Sequence, residues 1–284
     1  MNDSNTLIVG ANGQLGRALQ VIYPKAKKTD SAKLDITSAE ALKKFDWDGI
    51  EIIINAAAYT NVDGAETPEG QASAWKVNDE GVANLVNVAT EKDLLLVHIS
   101  TAYVFDGSKK TYKESEPPSP LSVYGKSKAA GDEKVAKVTK HYIVRTDSVI
   151  GEGKNFVRTM LDLGKKGVGP KVVADQTIRP AFTTEVAKAI KFLIDAPAEY
   201  GTYNVTNEGD PVSWADFTRA IFEEASIDQK VTNITFKEYF ASKPGVAPRP
   251  LNSILDLTKI ESIGFKPRDW RQDLKDYIKK ELSK

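Results

Sequence analysis

Short aliphatic runs alternate with longer amphipathic stretches through the first half of the chain. Residues 6–9, 51–55, 94–100 and 142–145 are compact apolar runs and predict strands. Between them, 13–22, a long stretch passing through Val77, Leu85, Val86 and Ala89, and 124–138 repeat apolar positions at helical spacing. Thr37-Ser-Ala-Glu40 has the Ser/Thr-x-x-Glu form of a capping box and predicts a further helix opening there. Buried runs alternating with helices predict parallel βαβ units and an α/β, Rossmann-type doubly wound parallel sheet.

After residue 148 the pattern loosens, punctuated by Gly151, Gly153, Gly167, Gly169 and Pro170. Helices are predicted over 155–165, 184–195 and 213–225, and Trp270, Leu274, Tyr277 and Ile278 give a closing helix one apolar face. The division implied is a Rossmann domain over 1–148 and, over 149–284, mainly a smaller C-terminal lobe for substrate, with segments returning to the first domain.

Composition narrows the classes. Hydrophobic residues make up 41% and charged residues 27%, the balance of a globular protein. Lys plus Arg and Asp plus Glu both number 39, so no net charge draws the chain to nucleic acid or an anionic membrane. Without cysteine there is no disulfide frame and no thiolate zinc site. The only histidines, His98 and His141, sit in apolar runs, which suits strand or core positions better than a metal site. No apolar stretch approaches the roughly 18 residues of a membrane span, and the opening residues lack the basic region of a secretory signal. A cytoplasmic protein is expected.

Gly10-Ala-Asn-Gly13-Gln-Leu-Gly16 follows the first strand directly and opens a helix. Glycines there permit a tight turn and let backbone approach a pyrophosphate, while the helix N-terminus offers free N–H donors. The Gly-x-x-Gly-x-x-Gly spacing is that of short-chain dehydrogenases. Asp30 follows at the distance where an acid binds adenosine ribose hydroxyls, with Lys27 and Lys28 just before it to tolerate a 2′-phosphate. NADH and NADPH both stay open.

Tyr124 and Lys128 stand at i and i+4, on one face of a helix. A phenol titrates near 10, and a neighbouring ammonium would bring it toward neutrality, where it can trade a proton with a carbonyl oxygen. Ile99-Ser100-Thr101 ends an upstream strand and supplies hydroxyls for the same carbonyl.

Together these residues resemble the dTDP-4-dehydrorhamnose reductase family of the extended short-chain dehydrogenases. The likeness rests on GANGQLG (10–16), LDIT (34–37), NAAAYTNVDGAE (55–66), Val77-Asn78, ISTAYVFDG (99–107) and YGKSKAAGD (124–132). It continues with NFVRTML (155–161), VVADQTIRPAFTTEVA (172–187) and RPLNSILD (249–256). The resemblance implies NAD(P)H-dependent reduction of the C4 keto group of dTDP-4-dehydro-L-rhamnose, for cell-surface polysaccharide. By position, Thr101 would hold the keto oxygen, Tyr124 protonate it, and Lys128 assist Tyr124 and bind the nicotinamide ribose. Gly10, Asn12, Gly13, Gln14, Leu15, Gly16, Asp30, Asp35, Ile36, Ala56, Ala57 and Ala58 would line the cofactor, and Tyr103, Asn155 and Arg249 the substrate. The family is also associated with Mg²⁺ at a subunit contact, which brings in a homodimer, although no carboxylate cluster here demands the metal.

Two positions depart from the family. Ala102 replaces a usual acid, and Arg145-Thr-Asp-Ser148 replaces Arg-Thr-Ser/Ala-Trp. The missing indole belongs near the sugar, so a reductase or epimerase of another nucleotide 4-keto sugar is the first alternative. A non-catalytic NADP-binding subunit, like the regulatory subunit of methionine adenosyltransferase, is the second. The Thr–Tyr–Lys trio speaks against it.

Overall fold

A computed structural model describes residues 3–196, 198–241 and 245–283. The first half runs β1 (Thr6–Val9), α1 (Gln14–Ile22), β2 (Lys27–Thr29), α2 (Ala39–Lys44) and β3 (Ile52–Asn55). Then come α3 (Pro68–Trp75), α4 (Gly81–Glu91), β4 (Leu95–Thr101), α5 (Val123–Val135) and β5 (His141–Thr146). These strands and Gly201–Asn204 form a six-stranded sheet in the order Gly201–Asn204, β5, β4, β3, β1, β2. Every pairing in it is parallel. The order reverses between β1 and β3, which places the loops after those two strands on either side of a crevice, where such sheets bind ligands.

Each face of the sheet carries its own core. On one, Leu15 and Leu19 of α1 meet Val186, Ile190 and Leu193 of α7 (Thr183–Asp195) over Ile8, Ile54 and Val144. On the other, Leu42, Val82, Leu85 and Val135 cover Leu7, Ile53 and Leu96. A third core ties α6 (Phe156–Lys165), α8 (Trp214–Glu224) and the closing helix Trp270–Leu282 through Val157, Phe217, Ile221 and Trp270. Among the described residues no helix is long and apolar enough to cross a membrane.

The predicted elements form with shifted ends. The second helix is capped by Ser38, which accepts from Ala41 N at 3.2 Å, rather than opening on Thr37. Asp35 explains the shift, since its Oδ1 accepts both the Thr37 N–H and hydroxyl, at 2.9 and 2.8 Å. The long helical stretch is two helices joined by a π turn at Lys76–Glu80. That turn drives Asn78 into the interior, where its Nδ2 donates to Tyr59 O and Ser127 Oγ and its Oδ1 accepts from Tyr59 N. One side chain thereby pins the loop after β3 to α5.

Candidate active site

The glycine loop after β1 is shaped by contacts that leave no room for a side chain. Gly10 has φ +78°, and a Cβ there would lie 2.6 Å from Ala57 N in the loop after β3. A Cβ on Gly16 would lie 2.3 Å from Gly10 O, so the first turn of α1 can rest on its own loop. Gly13 caps α1 in extended conformation without a side-chain bond, leaving the helix N–H groups to a ligand. This close, bare cradle fits a dinucleotide pyrophosphate. Gly16→Ala should therefore cost about 1–3 kcal/mol and loosen the loop. Denaturant midpoints and a dinucleotide titration read the two effects, and an unchanged affinity would mean the loop holds no pyrophosphate.

The other predicted cofactor residues surround this loop. Asp30 directly follows β2 and its Oδ2 accepts from Asn12 Nδ2 at 2.6 Å. Asp35 and Ile36 follow, with Ile36 buried and its carbonyl taking Asn84 Nδ2 at 2.9 Å. Ala56, Ala57 and Ala58 lie after β3, with Ala57 N donating to Asn55 Oδ1 at 3.1 Å. Leu15 packs into the core, leaving its backbone N–H as the only group it can offer. Gln14 reaches across the crevice instead, its Oε1 accepting from Gly151 N at 2.9 Å. Lys27 turns away to Asp46 O at 2.7 Å, and Lys28 to Pro24 O at 3.4 Å. The cation beside the loop is Arg17, whose Nε donates to Asn12 O at 3.0 Å. Sequence reading passed over it because a helix-surface arginine has no distinctive pattern.

The groups predicted to react gather at the C-terminal end of β4. Strand alternation separates its two hydroxyls. Ser100 points inward to Asp132 Oδ2 at 2.7 Å, so Thr101 alone of the pair serves the cleft. Thr101 Oγ1 accepts from Tyr103 N at 3.1 Å and faces the Tyr124 hydroxyl. Tyr103 and Tyr124 meet edge to face, centroids 6.2 Å apart. α5 is seated by Ser122, which caps it, and by Glu66, whose Oε1 accepts from Val123 N at 2.9 Å.

Lys128 stands where the spacing did not anticipate. Its Nζ donates to Ile99 O at 2.6 Å and lies 3.1 Å from His98 Nε2, buried below β4. Tyr124 is pushed up to about 12 by burial, with the Thr101 hydrogen bond acting against that and the Asp132 and Asp147 carboxylates adding to it. The expected descent toward neutrality is therefore absent, and Tyr124 is a neutral phenol at physiological pH. Burial meanwhile brings Lys128 down to about 8, against the pull of Asp132.

Beyond Tyr103 opens a cavity of about 310 Å³ between the sheet and the third core. Arg249 lines it, ion-paired to Asp63 at 2.8 Å and set over the Phe240 ring at 5.2 Å. Gln176 and Arg249 both lie close enough to the Tyr103 hydroxyl to favour its ionised form, against burial. Lys171, Trp214 and Phe156 complete a wall of cations and aromatic faces, which sequence alone did not single out. Asn155 is engaged elsewhere. It caps α6 and its Nδ2 donates to Gly151 O and Tyr277 Oη, both at 2.7 Å, so its side chain braces the lobe. Among the described residues no group of three or more His, Cys, Asp or Glu could hold a metal, so Mg²⁺ gains no ligand set here.

The comparisons agree with this geometry. The family described as RmlD substrate binding domain matches residues 4–283. The dTDP-4-dehydrorhamnose reductase of Aggregatibacter actinomycetemcomitans is 41% identical over 288 residues, covering 95% of this chain and 97% of its own. A solved dTDP-4-dehydrorhamnose reductase from Clostridium acetobutylicum has TM-score 0.89 and 39% identity, covering 96% of this chain and 98% of that one. Another from Bacillus anthracis, in complex with NADP, has TM-score 0.90 and 34% identity, covering 97% and 98%. The chain belongs to the dTDP-4-dehydrorhamnose reductase family, NAD(P)H-dependent oxidoreductases of the extended short-chain dehydrogenase type.

Proposed function

We propose that the protein reduces the C4 keto group of dTDP-4-dehydro-L-rhamnose to give dTDP-L-rhamnose. The observation that carries this reading is the continuity of the site. A bare glycine cradle, a Thr101–Tyr124 hydroxyl pair and a cation-lined aromatic cavity follow one another along the C-terminal ends of the strands. A nicotinamide dinucleotide bound in the cradle would supply the hydride. Thr101 and Tyr124 hold the keto oxygen, and as charge builds on that oxygen Tyr124 gives up its phenolic proton to it. A phenol held near 12 is fully protonated at pH 7 and still far more acidic than the alcohol being formed, so the transfer runs downhill. Arg249 suits the diphosphate because its fork pairs with phosphate oxygens, with Asp63 as its partner until then. Trp214 and Phe240 offer faces for the base.

Absorbance at 340 nm, followed with NADPH and with NADH, tests the reading on enzymatically generated dTDP-4-dehydro-L-rhamnose. Oxidation of either coenzyme dependent on the sugar is expected, and none with either would overturn it. One observation favours a second reading, reduction of a related nucleotide 4-keto sugar. Where the family has a small residue followed by tryptophan, this chain has the buried Asp147 and then Ser148 at φ +42°. A panel of keto sugars separates the two.

A further inference from the structure

Gln14 opens α1 and touches both halves of the chain. The first bond inside that helix runs from Arg17 N to Gly13 O at 2.9 Å, so the N–H groups of Gln14, Leu15 and Gly16 have no acceptor within it. These are the donors that the cradle offers to a pyrophosphate. The Gln14 side chain meanwhile crosses the crevice, where its Oε1 accepts from Gly151 N at 2.9 Å. The amide must present its oxygen there, because its nitrogen would set donor against donor.

Gly151 begins a strap, residues 151–155, that is tied down along its length. Gly151 O accepts from Asn155 Nδ2 at 2.7 Å and from Tyr277 Oη at 2.9 Å. Gly153 O accepts from Arg158 Nη1 at 2.9 Å, and Glu152 pairs with Lys280 at 2.7 Å. Asn155 then caps α6 through Arg158 N at 3.1 Å, while Arg158 grips Glu281 of the closing helix with two bonds of 2.8 and 2.9 Å. α6 carries Phe156 and Met160 into the wall of the cavity beyond Tyr103, with the Phe156 and Trp214 ring centroids 4.4 Å apart. The path from the cradle to the start of that wall is therefore short and hydrogen-bonded. The packing of α1 on α7 joins the same two portions, yet an apolar contact is non-directional and sets no register for the strap.

We propose that Gln14 is a positioning residue that links the cradle to the cavity: its side chain registers the strap and the α6 wall on the first turn of α1, so that filling the cradle tightens the cavity wall. That the cavity receives a nucleotide diphosphate rests on the proposed function. The link from cradle to strap does not. Binding linkage is reciprocal, so a nucleotide in the cavity tightens the cradle by the same factor.

Amide hydrogen exchange followed by mass spectrometry reads the link with NADP⁺ alone. In the wild type, saturating NADP⁺ should slow exchange across residues 151–160 by about fivefold or more. The protection should vanish in Gln14→Met, which keeps the length and loses the acceptor. It should persist in Gln14→Glu, which keeps an acceptor. That variant also sets a carboxylate beside the pyrophosphate and should weaken NADP⁺ itself, so protection retained at saturation separates register from affinity. No protection in the wild type, equal protection in Gln14→Met, or loss in both variants overturns the proposal.

Calorimetric titration of dTDP gives the second readout. The wild type should bind dTDP about tenfold tighter with NADP⁺ at saturation, and the ratio should fall below about twofold in Gln14→Met. A ratio that survives in that variant overturns the proposal too. No binding of dTDP to the wild type would instead count against the proposed function, and the exchange result would still decide the link.

Discussion

Tyr124→Phe should lower kcat by about a thousandfold while dinucleotide affinity changes by less than about threefold. The variant removes one oxygen from a ring that keeps its edge-to-face contact with Tyr103. What disappears is the proposed proton donor, the hydroxyl that faces Thr101. The loss should fall on kcat rather than KM, because the proton moves as charge develops and not when the ketone first binds. Between pH 6 and about 9 wild-type activity should show no loss that follows titration of the donor, since a phenol near 12 stays protonated throughout. Steady-state rates over that range, with fluorescence titration of NADPH, check both parts. A variant retaining a tenth of the native rate would mean another group delivers the proton.

Asp147→Asn should stabilise the protein by about 2–3 kcal/mol at pH 8 and by almost nothing at pH 4. Burial pushes the Asp147 carboxyl up from 3.8 to about 6, against hydrogen bonds from Ser253 and Ser148. The sign follows from which state holds the proton. Below pH 4 folded and unfolded chains are both protonated and nothing is lost. Between about 4 and 6 the unfolded chain ionises first, so stability falls as pH rises through the folded value and stays low above it. An asparagine keeps an oxygen for Ser253, whose hydroxyl stands 2.6 Å away, and carries no charge to desolvate. Urea midpoints at both pH values measure the difference. An equal gain at both would mean the carboxylate's charge is not its source. The acid also raises Tyr103 and Tyr124, so its replacement should ease both phenols as well as the fold.

Much of the sheet could be read from the chain because its buried strands are runs such as Ile52–Asn55, apolar on both faces. Two strands were missed for opposite reasons. Lys27–Thr29 is short and charged, and is a strand because β1 offers it an edge. Gly201–Asn204 holds one large apolar residue, Tyr203, and depends on β5 for its register. In the site, glycines and hydroxyls at fixed spacings were legible because backbone geometry demands them. The direction taken by Lys128 was not, since a helical i+4 offset says where a Cβ starts and not where four methylenes lead. Asn155 shows the same limit: a carboxamide that looks available in sequence is spent on a helix cap and Tyr277.

The strand Gly201–Asn204 also governs how the chain can assemble. It reaches β5 only after α6 and α7 have been made, and α7 shares with α1 the cover of one face of the sheet. A nascent chain that has emerged as far as residue 148 therefore has an open edge at β5 and, where α7 will lie, uncovered apolar residues such as Val144, a state prone to aggregation. A fragment ending there should need a chaperone, and supplying residues 149–284 in trans should rescue it. The cleft lies between those two portions, so catalytic competence and a closed sheet should arise together.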